Sequence, residues 1–304
     1  MIKKVCKYLI NKQYRFYVNN TRKIYKYKND KKFLKLFFLM AFNKELNLEN
    51  PITYQEKVQW LKLNDRKQIY TVMADKLQMK TYVSKIIGEQ YVVPIIKVWN
   101  SVDDIDFSQL PKKYVLKCNH NSGRGMYICK DCNDINIAAI KRELKKGIKE
   151  NYYIYYREWP YKNIERKVFA EEYLETKNGR EIIEYKVLCF EGQAKLVKLI
   201  RNRFTEHPTQ DFYTAHWEKT EIYESDIPKS EDIVPPPKKL EEIITLSEKI
   251  ADNMHHLRVD WYDVDGRIYV GELTFFDGAG FSEFLPEKYN EIIGSWIKLN
   301  REEK

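Results

Sequence analysis

At 304 residues the chain is long enough to bury a sizeable core and to divide into two or three subdomains. Its 43% hydrophobic and 32% charged residues are those of an ordinary globular protein, which excludes a largely disordered chain, and five scattered cysteines exclude a disulfide-stapled scaffold and point to a reducing cytoplasm. The net charge of +9 is concentrated at one end: residues 1–36 hold twelve Lys and Arg against one acid, Asp30, so the remainder is slightly acidic.

That basic stretch, "MIKKVCKYLINKQYRFYVNNTRKIYKYKNDKKFLKL", interleaves its cations with Tyr, Phe, Ile and Leu. No apolar run in it is long enough to span a bilayer, and it lacks the compact apolar region and small-residue cleavage site of a secretion signal. A solvated surface helix and a patch lying on anionic lipid both fit it. No nucleic-acid motif follows, so nucleic acid is not an expected partner.

An apolar stripe of Phe33, Leu36, Phe37, Met40 and Phe42 predicts a helix over 33–49. Thr53, with Glu56 three residues later, predicts the capped start of another. One further helix is expected over 70–87, then a short buried strand in "GEQYVVPIIKVW". "KKYVLKCNHNSGRGMYICKD" reads as a hairpin with a long polar tip, followed by a helix over about 134–151. Next come a strand ending in "AEEYL", two strands around "EGQ", and a loop with four prolines over 225–238. A helix in "KKLEEIITLSEKIADNM", the hairpin "RVDWYDVDGRIYVGELTFF" built on an Asp-Gly turn, and a last helix near 286–299 complete the chain.

Several residue types in this order carry chemistry. Ser122, Gly123 and Gly125 would let backbone N–H groups approach a phosphate, and Lys117 on the preceding strand would add a positive charge, although a glycine-bearing hairpin tip is also ordinary structure. Glu171, Glu172 and Glu184 stand at strand ends, where surface carboxylates are the plainer reading. In the last hairpin, Asp260 and Glu272 interrupt otherwise apolar strands; a buried carboxylate needs a proton, a cation or several donors, and two of them suit Mg²⁺ shared with nucleotide phosphates. The register that would make them face each other is not fixed by the sequence. Arg258, two residues from Asp260, shares its strand face, as Arg201 and Arg203 share one in "KLIRNRF"; these could neutralise a substrate carboxylate or developing negative charge. Cys129 and Cys132 form a lone C-x-x-C with no His at ligand spacing, so no structural metal is expected.

The order of "ADK" (Lys76), "VLKCNHNSGRG" (Lys117), "AEEYL" and "RVD…GEL" resembles the ATP-grasp superfamily. The phrases "TYQEKVQWLKLNDR", "ADKLQMKTYV", "LPKKYVLKCNHNSG", "YYREWPYKNIERKVFAEEYL" and "GSWIKL" are similar to the teichuronopeptide-biosynthesis (TupA-like) branch, over roughly 48–299. The resemblance implies an α+β ATP-grasp fold, two subdomains clasping ATP behind a helical N-terminal region. It divides the chain into a basic helical extension (1–47), a pre-grasp region (48–110), a lid subdomain (111–175) and a catalytic subdomain (176–304). It implies ATP and Mg²⁺ as cofactors. Lys76, Lys117 and Lys186 would serve as cations at the nucleotide, with Asn119 in the loop that closes over the phosphates; Glu171, Glu172, Tyr173 and Leu174 would line the adenine hinge, Glu184 the ribose, and Asp260 and Glu272 the metal. Many relatives carry Asn two residues after the second acid; Thr274 stands there instead, with a hydroxyl that can still coordinate the ion or a water.

The implied reaction is ATP-dependent joining of a uronic acid carboxylate, in a capsule, O-antigen or related bacterial surface glycan or its nucleotide- or lipid-linked precursor, to an amino acid or amino alcohol through an acyl phosphate. A sugar kinase on the same scaffold and a polysaccharide glycosyltransferase are the alternatives. The expected location is the cytoplasm, at the inner face of the membrane if the basic N-terminus binds there.

Overall fold

A computed structural model describes residues 2–202 and 205–299. Three helices come first: α1 (Ile2–Ile10), α2 (Lys12–Thr21) and α3 (Asp30–Phe42). The Asn29 side chain starts α3 by accepting from the backbone N–H groups of Lys31 and Lys32, and Asn43 ends it in the left-handed conformation. The helix expected over 33–49 therefore begins and stops earlier. Phe16, Phe33, Leu34, Phe37 and Phe38 form a small core of their own, completed by Tyr156 and Phe281 from later in the chain.

Helix α4 (Tyr54–Asn64) carries the expected capping box, with the Thr53 side chain and Glu56 each satisfying the other's backbone N–H. The single helix expected over 70–87 is two, α5 (Ile69–Ala74) and α6 (Gln78–Ile87). Asp75 leaves the helical region with ψ 114°, and its carboxylate accepts from the N–H of Leu77 at 2.9 Å, restarting the chain as an N-terminal cap would. Good helix formers on both sides hide that break from a periodicity argument.

Strands β1 (Ile95–Trp99), β2 (Tyr114–Cys118), β3 (Met126–Cys129) and β4 (Val168–Glu172) form one antiparallel sheet in the order β1-β4-β2-β3. Helix α7 (Ile137–Ile148) buries Ile140 and Leu144 against one face of it, on Leu116, Cys118, Val168 and Ala170. The short α8 (Tyr153–Tyr156) follows α7 and precedes β4 in the chain. The second sheet has β5 (Ile183–Phe190), β6 (Gln193–Arg201), β7 (Thr209–Thr214), β9 (His256–Val264) and β10 (Arg267–Thr274), ordered β10-β9-β5-β6-β7, with a two-strand pair of β8 (Tyr223–Glu224) and β11 (Phe284–Leu285) nearby. Helix α9 (Leu240–Ile250) covers the face bearing Val187, Val197, Val259 and Trp261, whose indole N–H donates to Ser247 at 2.8 Å. Helix α10 (Lys288–Ser295) packs on α4. Strand β7 and the β8/β11 pair have no counterpart in the sequence reading, since "TQDFYT" lacks a clean alternation.

His256 ties α4 to this sheet. Its Nδ1–H donates to the Cys189 carbonyl at 2.9 Å, so Nε2 accepts from the Tyr54 hydroxyl at 3.1 Å, and the ring stacks on Phe190. Burial pushes its pKa from 6.5 down to about 4. In the unfolded chain the ring takes up a proton near 6.5, so below that pH the unfolded state binds more protons and stability falls as pH drops towards 4, by about 3 kcal/mol in full. Denaturant midpoints measured between pH 7 and pH 4 are expected to show this loss, and His256→Gln to reduce the part of the slope above pH 5.

Candidate functional site

The face of the second sheet opposite α9 carries a polar row, buried though it is, where the α9 face is apolar. Reading across the strands, Phe212, Lys198, Lys186, Asp260 and Glu272 stand in one row. Asp260 and Glu272 are direct cross-strand partners only because the ladder slips by one residue between Val270 and Glu272. Gly271 is the extra residue of this bulge, and a Cβ there would come within 2.6 Å of the Tyr262 ring. An unbroken ladder would put Gly271 opposite Asp260 and turn Glu272 to the other face.

Each acid of the pair is held by cations. Asp260, fully buried, receives Lys186 at 2.6 Å and the Arg258 guanidinium at 2.6 Å through Nε and 2.8 Å through NH2. Arg258 also donates through NH1 to Asp277, which Lys198 joins at 2.7 Å, and Lys198 continues to Glu224 at 3.0 Å. Lys186 also meets Glu184 at 2.9 Å. Glu272 takes Lys76 at 2.7 Å. Burial raises the Asp260 carboxyl, but Arg258 and Lys186 more than offset it and leave its pKa below the ordinary value; burial and Lys76 oppose each other in the same way at Glu272. Asp277, between Lys198 and Arg258, lies far below the usual carboxylate range despite its burial. Both acids of the pair are therefore ionised at neutral pH. Two carboxylates side by side, already charged, are a donor set that fits Mg²⁺ bound jointly with phosphate oxygens, with the Thr274 hydroxyl, opposite Arg258 in the ladder, as a further oxygen.

Lys76 reaches Glu272 because the α5–α6 break points it there. The break is fastened to the first sheet's hairpin: the Lys76 N–H donates to the Asn119 carbonyl at 3.0 Å, and the Asn119 amide donates to Asp75 at 2.9 Å and to the Glu165 carbonyl at 2.9 Å. Asn119 is thus a latch between the two units, its side chain fully used. On the uncovered face of the first sheet, Glu171 is buried between Lys117 and Lys80, the latter at 2.8 Å. Burial lifts Glu171, yet the two lysines bring it net below its usual pKa. Its side chain is an ion-pair hub, and Glu172, Tyr173 and Leu174 follow it at and beyond the end of β4. Exposed apolar side chains, Ile95, Val98, Met126 and Ile128, share that face with Lys117.

In the hairpin tip, Ser122 and Gly123 are exposed, whereas Gly125 is buried against α7. Gly125 has φ +68°, and a Cβ there would sit 2.5 Å from the Cys118 sulfur and 3.0 Å from the Gly147 Cα; at Gly123, φ +78°, a Cβ meets nothing within 4 Å. Gly125→Ala is expected to cost about 2–4 kcal/mol by denaturant unfolding and Gly123→Ala about 1 kcal/mol, since only the first adds overlap to backbone strain.

The structure thus brings Lys76, Lys186, Glu184, Asp260, Glu272 and Arg258 together at one face of the second sheet, and Lys117 to Glu171 and Lys80 at the first. It does not bring Arg201 there. Arg201 lies on the covered side of β6, pairing with Asp211 and Asp232 at 3.4 Å each, because residues 197, 199 and 201 alternate away from Lys198. Arg203 lies outside the described residues. Arg258 is present, but its Nε, NH1 and NH2 are all engaged by Asp260 and Asp277, so it positions those acids rather than facing an open substrate site. Lys80, Lys198, Asp277 and Glu158 are missing from the sequence reading. Lys80 stands four residues after Lys76, and Asp277 opens "DGAGF" just past the hairpin, which are the signals that could have found them. Glu158, buried near Lys62, Glu272 and Tyr152, is pushed by burial up to about 7.

Among solved structures, a D-alanine–D-alanine ligase from Bacillus anthracis in complex with ATP is similar at 16% identity, covering 67% of this chain and 55% of its own, with a TM-score of 0.42. The D-alanine–D-alanine ligase of Helicobacter pylori gives 12% identity, 83% and 68% coverage and a TM-score of 0.47. An ADP complex of the N5-carboxyaminoimidazole ribonucleotide synthetase PurK gives 13%, 73%, 50% and 0.41. The chain spans about half the length of the first and last of these proteins. No curated protein matches it. The family model for TupA-like ATP-grasp proteins matches residues 56–298, about four-fifths of the chain and every element that carries the ion-pair network, and the chain therefore belongs to the TupA-like ATP-grasp family.

Proposed function

We propose that the cleft between the two sheets binds Mg-ATP and uses it to activate a carboxylate for attack by an amine, the carboxylate being a uronic acid of a bacterial surface glycan or its precursor. The observation that carries this reading is the pairing of Asp260 with Glu272 across the Gly271 bulge, with Lys76 reaching the second acid from a separate element. A free carboxylate is a poor acyl donor, and making it a mixed anhydride with phosphate turns its oxygen into a leaving group. Two anions must meet for that transfer, so the site needs cations on both.

Lys76 and Lys117 each now rest on a carboxylate, Glu272 and Glu171, and both are only half-buried. Phosphate oxygens arriving in the cleft would compete with those carboxylates for the same ammonium groups. Mg²⁺, held through Asp260 and Glu272, would neutralise phosphate charge. Arg258, held between Asp260 and Asp277, fixes the first acid so that it need not reorganise on binding. Ile95, Val98, Met126 and Ile128 offer an apolar bed for a purine, and the backbone of Tyr173 and Leu174, beyond the last ladder pair of Tyr114 with Glu172, would read its edge. The exposed tip with Ser122 and Gly123 can close over the phosphates and keep water from the acyl phosphate.

The test is an ADP-release screen of uronic acids against amines. The reading expects ADP only when both a uronic acid and an amine are present, with an amide in the product by mass spectrometry. ADP formed on a sugar with no amine required, leaving a phosphorylated sugar, would replace it with a kinase.

A further inference from the structure

Helix α1 has a use that the cleft does not absorb. Its spacing places Val5, Cys6 and Leu9 on one arc and Lys4 and Lys7 on the other. The apolar arc faces solvent: Val5 is 53% exposed, Leu9 64% and Ile10 82%. What holds α1 to α2 is polar, a Tyr8 hydroxyl donating to Asn19 at 2.7 Å, Arg15 donating to the Leu9 carbonyl at 2.8 Å and the Lys7 ammonium over the Tyr14 ring. The turn after α2 presents Ile24 and Tyr27, 62% and 89% exposed, among Arg22, Lys23, Lys26 and Lys28.

We propose that α1 and the 22–28 turn form an interfacial anchor that lays this protein on an anionic bilayer, with the apolar arc among the acyl chains and the lysines at the headgroups. Charge chooses the occupant. Residues 1–36 carry eleven net positive charges, so a second copy of the same face is repelled, and nucleic acid would satisfy the cations but leave Val5, Leu9 and Ile10 in water. A membrane surface satisfies both. No described helix is long and apolar enough to cross a bilayer, which agrees with a helix that lies in the surface.

The anchor is joined firmly to the site. Phe37 stacks on Phe281 at 3.9 Å between ring centres, just past the Asp277–Gly280 turn, and Arg157, beside Glu158, lies over the Phe33 ring, meets Asp30 at 3.3 Å and donates to the Tyr25 carbonyl at 2.7 Å. Asn20 donates to the Tyr155 carbonyl at 3.0 Å. Bound this way, the chain would hold its cleft at a fixed attitude to the bilayer. Deleting residues 1–36 would remove Phe16, Phe33 and Leu34 from a packed core, so truncation is a poor test.

The proposal stands on this helix and turn and does not need the ligase reading. The experiment is co-sedimentation of the full chain with phosphatidylcholine vesicles with and without one-third phosphatidylglycerol, beside the Val5→Ser/Leu9→Ser double variant, whose substitutions keep every charge and touch no core residue. Expected is binding to the anionic vesicles only, weakened about tenfold or more in the variant with its thermal unfolding unchanged. Absence of vesicle binding would overturn the anchor, as would equal binding by the variant, which would leave only adsorption of charge. A salt-sensitive dimer broken by the same substitutions, or duplex DNA bound in place of vesicles, would overturn it in favour of a copy or a nucleic acid.

Discussion

Glu272→Gln is expected to lower Mg-dependent ADP formation by about 10²- to 10³-fold while leaving the protein folded, as read from single-turnover kinetics beside a thermal melt. The asymmetry follows from the surroundings of the two acids. Glu272 meets one ammonium, Lys76, whose side chain keeps some exposure and can take water instead. The amide keeps the shape of the carboxylate and removes its repulsion with Asp260, so the folded state loses little. What it loses is an anionic oxygen at the place where the pair would hold the ion. Asp260→Asn should give the same kinetic loss together with a clear loss of stability, since Asp260 is buried and receives three charged donor atoms. Equal, near-wild-type turnover in both variants would show that the acids serve the hairpin and not the reaction.

Arg258→Gln carries the largest expected effect on folding, a loss of about 3–5 kcal/mol in denaturant unfolding. Its guanidinium sits between Asp260 and Asp277, both almost fully buried, and removing it leaves each acid with a single lysine, Lys186 and Lys198. Adding Asp277→Asn to Arg258→Gln should recover part of the loss, because one of the two uncompensated charges disappears; the coupling read from that cycle is expected to exceed about 1 kcal/mol. Strict additivity would mean that Arg258 and Asp277 stabilise the fold independently, contrary to the network described here.

How much of this was legible beforehand depends on the kind of signal. Alternation marked both strands of the last hairpin, and acids within apolar alternation marked Asp260 and Glu272, because such residues are costly unless something answers them. The bulge that makes them partners was not legible: Gly271 reads as any strand glycine until the Tyr262 ring is seen lying over it. The break that aims Lys76 was hidden for the opposite reason, since the pattern of "YTVMADKLQMK" suits a continuous helix and the kink is held by the cap of Asp75 on Leu77 together with the contacts of Asp75 and Lys76 with Asn119. Arg201 misled because a basic residue on a strand is equally at home on either face, and the face is set by a partner, Asp211, on a strand the periodicity did not reveal. That Glu171 is an ion-pair hub was not legible either, because its partner Lys80 arrives from α6, far earlier in the chain.

The most direct measurement of the central claim is isothermal titration of the intact protein with ATP, with and without Mg²⁺, beside Glu272→Gln and Lys76→Met. Saturable binding that needs Mg²⁺ in the parent, weakens in Lys76→Met and loses its Mg²⁺ dependence in Glu272→Gln is the predicted result. Nucleotide bound equally well by all three proteins, or by none, would contradict it.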